Sequence, residues 1–396
     1  MAASLPERYL LLGLRLGRHV DGLVDGYFGP KELQETVDGE DPVDPSLLLD
    51  EARALSAEVA TWNGDPQRTR WLGGQLEGLA CVAEMLGGAE PPWREAVRRC
   101  YGIDVEPVPE ERFAAAHAKL DEALPGDGDV AARLQAWYRS QEIAPDDVLP
   151  AFDELRTELQ RRTAELVDLP EGERLETELV SDKPWAAYNW YLGDLKSRIE
   201  VNTDLPMRSF SLAGLVAHEV YPGHHTEHAC KEARLVRDLE RIEASILLIH
   251  TPECLVSEGI AQVALERALG DGWVDPVDEI LSPLGVPFDA ATTRAVLDAH
   301  EDLGFVSVNV ACFASERGWT TDEAVDYFRQ WALAEEDRAR KSAEFATHPM
   351  WSAYVPTYSF GHQIVREYAG RSDDAFRRLL TEQLTTADLL EPAPAV

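Results

Sequence analysis

Lysine is nearly missing from this chain. Only six of its 396 residues are lysine, and lysine and arginine together number 37 against 72 aspartates and glutamates, a net charge of −35. A surface of that sign repels phosphate backbones, which are bound through clustered lysine and arginine, so nucleic acid is excluded as an expected partner. The same excess of acid is expected of a protein kept soluble at very high salt, where self-repulsion is screened. It says nothing about a reaction.

Cysteine is also scarce. The five cysteines (Cys81, Cys100, Cys230, Cys254 and Cys312) are widely separated, odd in number and contain no C-x-x-C pair. Neither a disulfide framework nor a cysteine-based zinc site is expected, and the reading is of reduced, buried thiols. No apolar run approaches the roughly 18 residues of a membrane span. The first residues, Met1 to Arg8, lack a basic region followed by an apolar core. No membrane association and a cytoplasmic location are the expectations.

What the chain does have is helical periodicity. Apolar residues return at three- and four-residue spacing over residues 5–25, 46–62, 67–86, 110–123, 128–142 and 150–167. The pattern resumes over 224–248, 252–269, 290–315, 320–343 and 358–382. Pro91-Pro92, the segment 105–109 and Pro125-Gly126-Asp127-Gly128 read as connectors. Asp127-Gly128-Asp129 has the start of a calcium loop but neither its further ligands nor its closing glutamate, and reads as a solvated turn. Residues 186–204 alone have strand character, and Gly193-Asp194 at their middle predicts a short β-hairpin. The expected fold is mainly α with a small hairpin or sheet beside one helix. It divides into an N-terminal helical region, 1–170, and a C-terminal region, 171–396, which also suits one continuous fold.

The chemistry is concentrated in His218-Glu219-Val220-Tyr221-Pro222-Gly223-His224-His225. A helix presenting zinc ligands and a base together usually carries H-E-x-x-H, with the two histidines one turn apart on one face. Here the residue four on from His218 is Pro222. The next histidines fall at i+6, about 240° round the axis, and at i+7, about 10.5 Å further along it. An unbroken helix would keep them apart. Pro222 disfavours helical geometry at Tyr221 and Gly223 tolerates unusual dihedrals, so the spacing predicts a break that swings His224 back toward His218. His225 and His228 stand as alternative ligands or outer neighbours, with His228 read as a surface residue.

Glu219 is then placed as general base for a water activated by the ion. A third ligand is sought on the helix after Thr251-Pro252, a good cap and first position, with Gly270 as its stop. Glu258 lies near its middle between Ser257 and Gly259, small residues that let another helix approach. Gln262, one turn on, is a candidate to hydrogen-bond a ligand.

These motifs resemble those of the microbial family known as domain of unknown function 885, which has a His-Glu-x-x-Pro-Gly-His-His-like element followed by Ser-Glu-Gly-x-Ala, here Ser257 to Ala261. Asp25-Gly26-Tyr27-Phe28-Gly29-Pro30, Trp319 to Ala324 and Tyr358 to Gly361 are similar to its further elements, in the same order along the chain. Ile260, Ser359 and His362 stand where that family has an aromatic residue, Lys and Gln. The resemblance implies a zincin-like, all-helical metallopeptidase fold with zinc held by His218, His224 and Glu258, Glu219 as base, and Tyr358 as donor to an oxyanion. The expected function is a zinc-dependent hydrolase of peptide or small amide substrates. The rivals are a metal-dependent hydrolase of non-peptide esters or amides, and a helical binding protein with a vestigial metal site.

Overall fold

The structure, a computed structural model, describes residues 3–183, 185–204 and 206–392. It is mainly helical with two small sheets. Helices Leu5–Gly17, Pro45–Ala60 and Pro66–Leu86 pack around Leu10, Leu16, Leu55, Trp71 and Leu76. The first begins in a capping box, with the Ser4 and Glu7 side chains each bonding the other's backbone N–H. A second core joins helices Trp93–Tyr101, Glu110–Ala123 and Val130–Ser140 to Ala290–Leu303, Val306–Arg317, Thr321–Trp331 and Glu336–Ala346. This core crosses position 170, so N-terminal and C-terminal segments share one apolar interior.

Five strands form the sheets. β1 (Val24–Tyr27) pairs antiparallel with β5 (Ile246–Leu248). β2 (Arg174–Val180), β3 (Ala187–Gly193) and β4 (Lys196–Asn202) form a three-stranded sheet in the order β2-β4-β3. β3 and β4 are the hairpin expected over 186–204, turning at Asp194 and Leu195, both in the left-handed region. β2 runs parallel to β4 and leaves β3 as an edge strand. The Arg174–Val180 segment of β2 exposes both faces to some degree, with Leu175 and Thr177 less exposed than Arg174, Glu176 and Glu178.

Several continuous helical stretches are divided. The helix expected over 5–25 stops at Gly17, and its last residues begin β1. The stretch 224–248 is a short α-helix (His224–Lys231) and a π-helical turn (Glu232–Asp238); its apolar tail becomes β5. Glu240, at φ 54, breaks the winding there, and a 3-10 turn, Ile242–Ser245, leads into β5. Breaks at Gly304, Leu333 (φ 52) and Arg371 likewise split 290–315, 320–343 and 358–382 into pairs. Apolar spacing carries across a two- to four-residue turn without changing phase enough to reveal it. Asp129, from the discounted calcium loop, caps helix Val130–Ser140 by accepting from the Ala132 N–H.

Two close approaches set the functional region. Helix Pro252–Leu269 packs against helix Pro356–Ala369 with Gly259 facing Gly361. A Cβ on Gly361 would stand 3.0 Å from the Leu255 carbonyl, and one on Gly259 would meet the Val365 side chain and lie 2.6 Å from the Gly361 carbonyl. The helix Ser209–Glu219 packs through Leu212, Ala213 and Val216 on helix Pro145–Leu166 and on Ile199 and Val201 of β4.

Candidate metal centre

The helix bearing His218 ends at Glu219, and a new one starts at His224. Between them the Tyr221-Pro222 peptide is cis, and the Gly223 N–H donates to the Ala217 carbonyl at 3.0 Å. A Cβ on Gly223 would collide with the carbonyl oxygens of His218 and Ala217. Only glycine fits where the chain doubles back on the helix it has just left. The Thr226 hydroxyl donates to the Val220 carbonyl at 3.1 Å and ties down the other side of the turn.

This reversal places the His218 and His224 rings 4.7 Å apart and perpendicular. One ligand atom from each of His218, His224 and Glu258 lies within 4.8 Å of the other two. Glu258 bridges the pair, with Oε2 3.8 Å from His218 Nε2 and Oε1 3.9 Å from His224 Nε2. Glu258 Oε2 is buried and has no hydrogen-bond partner. A buried carboxylate oxygen left unpaired is costly, and a cation between it and the imidazoles would remove that cost. Two neutral imidazoles and one carboxylate are also a donor set suited to zinc, so the residues present fit the ion.

The surroundings hold these three side chains in place. Tyr354 donates to Glu258 Oε1 at 2.8 Å, and the Tyr358 hydroxyl donates to that of Tyr354 at 3.3 Å. Ser257 lies 3.3 Å from His224 Nδ1 and donates to Glu227 Oε2 at 2.5 Å. Glu227 in turn accepts from Lys231 at 2.7 Å, and Lys231 also reaches Glu253 at 2.9 Å. The Asn189 side chain on β3 donates to the Glu219 carbonyl at 2.7 Å, fixing the end of the histidine helix against the edge strand.

Glu219 reaches within 4.0 Å of His218 Nε2. Burial pushes its carboxyl up to about 7, against the opposing pull of His224 and with help from Glu258 and Asp25. Burial, with the charge of His224 acting the same way, holds His218 well below the usual imidazole range. For His224 burial acts in the same direction, but Glu227, Glu258 and Glu219 together overcome it and push it up to about 9. A coordinating imidazole is neutral, so a divalent cation would displace that proton.

The remaining expected residues fall into different roles. His225 is fully buried and is engaged on both sides, Nδ1 with Ser197 at 2.8 Å and Nε2 with Glu173 at 2.7 Å. Tyr221 and Gln160 complete that cluster, which ties the turn to β4. His228 is buried, not on the surface: it stacks 5.7 Å from His224 and meets Tyr191 at 5.3 Å. Gln262 is exposed and bonds none of the three. Thr251 and Pro252 open their helix as expected, although the Thr251 hydroxyl donates to the Leu248 carbonyl and does not cap.

Two contributors were not singled out from sequence. Tyr354 sits on a short 3-10 turn one helical turn before Tyr358, and an aromatic residue there reads as core. Asp25 lies at the irregular step of the β1–β5 ladder, between Val24 and Gly26, where a bulge re-aims a side chain. It accepts a hydrogen bond from Tyr188, and burial pushes its carboxyl up. Together with His224, His228, Glu253 and Glu258 it lines a cavity of about 40 Å³, larger than the roughly 10–15 Å³ a water needs. Its presence in Asp25-Gly26-Tyr27-Phe28-Gly29-Pro30 was the available signal.

No family model matches the chain, and no curated protein matches it by sequence. Among solved structures it is similar to a protein from Colwellia psychrerythraea described as a "putative lipoprotein", with a TM-score of 0.56 and 15% identity over 91% of this chain and 68% of that one. A second lipoprotein so described, of unknown function, from Shewanella oneidensis has a TM-score of 0.48 and 11% identity over 90% of this chain and 75% of that one. The first likeness is one of fold. No helix among the described residues is long and apolar enough to cross a membrane.

Proposed function

We propose that the protein is a zinc-dependent hydrolase of peptide bonds, of the kind implied by the resemblance to domain of unknown function 885. One observation carries the reading: His218, His224 and Glu258, from three helices, come within 4.8 Å of one another with a half-buried carboxyl, Glu219, at their edge. Zinc held by these three would supply Lewis-acid charge toward a carbonyl oxygen and lower the pKa of a nearby water.

The chain's own residues account for the rest. Glu219, poised near neutrality by its burial, takes a proton from the attacking water and returns it to the leaving amine nitrogen. The Tyr358 hydroxyl, which donates to Tyr354, turns its proton to the oxygen that becomes negative as the carbonyl is attacked, while Tyr354 stays bonded to Glu258. The edge strand β3 runs beside the histidine helix, and its unpaired backbone groups suit an extended peptide, which favours peptides over small esters. A site serving only structure has no need of Glu219, which speaks against a binding protein with a vestigial ion.

Elemental analysis of the purified protein, with turnover of a mixed peptide library, tests this. One zinc per chain is expected, lost in His218→Ala. Glu219→Gln should retain the metal and lose turnover by a factor of about 10² or more. Undiminished turnover in Glu219→Gln, or wild-type protein free of transition metal after zinc dialysis, would overturn the reading.

A further inference from the structure

Most arginines in this acid-rich chain find carboxylates. Arg68 is bidentate on Glu243, Arg112 bonds Asp302, and Arg161 bonds Glu158 and Glu165. Two that share one cavity do not. Arg208 lies 4.0 Å over the Tyr138 ring, its Nε is buried without a hydrogen-bond partner, and it enters no ion pair among the described residues. Arg338 is similar: its neighbours Arg329 and Arg340 pair with Glu336 and Asp322, while it pairs with none of the described residues. With 72 acidic residues available, two arginines left unpaired at one place need a reason.

The cavity is about 280 Å³. His300, Ser307 and Ser342 also line it, with Glu335 as the only carboxylate on its wall among the described residues. His300 Nε2 meets the Tyr138 hydroxyl at 2.6 Å, and Tyr138 is held by stacking on Phe210. The charges there oppose one another. Burial pushes His300 down to about 4, and Arg338 and Arg208 push it the same way. Burial, with the charge of Arg338, also holds Arg208 below its usual value, against the opposite pull of Tyr138, Glu142 and Glu335. Two guanidinium groups face one carboxylate, Glu335, across this cavity, and an anion would balance the excess positive charge.

We infer that this cavity is a binding site for an oxyanion, a carboxylate or phosphate group, held between the guanidinium groups of Arg208 and Arg338 with hydroxyl donors from Ser307 and Ser342. Planar guanidinium forks match the oxygens of either group. The site stands apart from the metal ligands. Arg208 caps the N-terminus of helix Ser209–Glu219, which ends at the metal site, so ten residues of one helix, about 15 Å, separate it from His218. That span equals four or five residues of extended peptide. The oxyanion therefore has two sources: a free anion, or, if the proposed peptidase activity holds, the terminal carboxylate of a peptide in the site.

Calorimetric titration of the purified protein with inorganic phosphate, at ionic strength held constant with chloride, tests the inference. Saturation at one phosphate per chain is expected. Arg338→Gln and Arg208→Gln should each weaken it about tenfold, while Arg139→Gln, exposed and outside the cavity, should not. Arg338 is exposed and holds no structural contact, so its variant serves even if Arg208→Gln fails to fold. A response that does not saturate, or that is unchanged in Arg338→Gln, would overturn the inference. Competition against phosphate in Glu219→Gln identifies the source. Displacement by an N-acetylated pentapeptide acid but not by its amide assigns the site to a peptide terminus; displacement by neither assigns it to a free oxyanion. The phosphate titrations are made on protein stripped of metal by a chelator, so the metal centre stands or falls separately.

Discussion

Tyr354 donates to Glu258 at 2.8 Å, on the oxygen that faces His224, while the other oxygen of the same carboxylate, facing His218, has no partner. The hydrogen bond fixes the rotation of Glu258 and turns its free oxygen toward the space between the imidazoles. Partners of this kind orient a ligand and are commonly worth a factor of about 10 to 100 in metal affinity. Tyr354→Phe keeps the ring packed against Phe345 and removes only the hydroxyl. Zinc affinity, measured by competition with a chelating dye, should fall by about that factor with little change in unfolding by urea. Unchanged affinity would show that packing alone orients Glu258.

Lys231 is buried, and its ammonium bridges Glu227 and Glu253, also buried. Glu227 lies behind His224 through Ser257, and Glu253 is held by Gln75 from the N-terminal helices. Removing the one cation leaves two carboxylates facing each other in an apolar interior. Lys231→Met is therefore expected to lower the unfolding free energy by about 3–5 kcal/mol. Lys231→Met with Glu253→Gln should recover part of that loss, because one of the two stranded charges is gone. Urea denaturation of the single and double variants measures both effects.

His250 is buried against Trp351, and its Nδ1 meets the Tyr101 hydroxyl at 2.8 Å. Burial pushes it down to about 4 from its ordinary 6.5. The folded state thus refuses a proton that the unfolded chain accepts. Its contribution is fully present above pH 6.5 and is lost as the pH falls from 6.5 to 4, by about 3 kcal/mol in all. His250→Gln keeps a hydrogen-bonding partner for Tyr101 and does not titrate. The acid slope of stability between pH 6.5 and 4 should be shallower in that variant, by urea denaturation across the range. An identical slope would mean that His250 is charged in the folded protein.

Much of the site was legible in one dimension. His-Glu before a proline and a glycine implied a broken helix, because an intact one cannot bring residues six apart to one face, and Ser257-Glu258-Gly259 implied a carboxylate on a helix that another can approach. Which histidine returns was not legible. His224 and His225 are adjacent and chemically alike, and only the reversal at Gly223, together with Ser197 and Glu173 waiting for His225, separates a ring at the centre from one tied to the sheet. The role of Ser257 was half visible: its small size leaves room, but its hydroxyl joins His224 to Glu227.

The sequence by itself determined the helical character, the hairpin near Gly193, the scarcity of cationic surface and the kinds of side chain offered to a metal, since these depend on local periodicity and residue chemistry. Tertiary structure alone decided that Asp25, Tyr354 and Glu253 gather around that centre, and that Arg208 and Arg338 line one cavity outside any ion pair among the described residues. Those meetings join segments tens to hundreds of residues apart. No local pattern encodes them, because they follow from how the apolar faces of many helices close on one another.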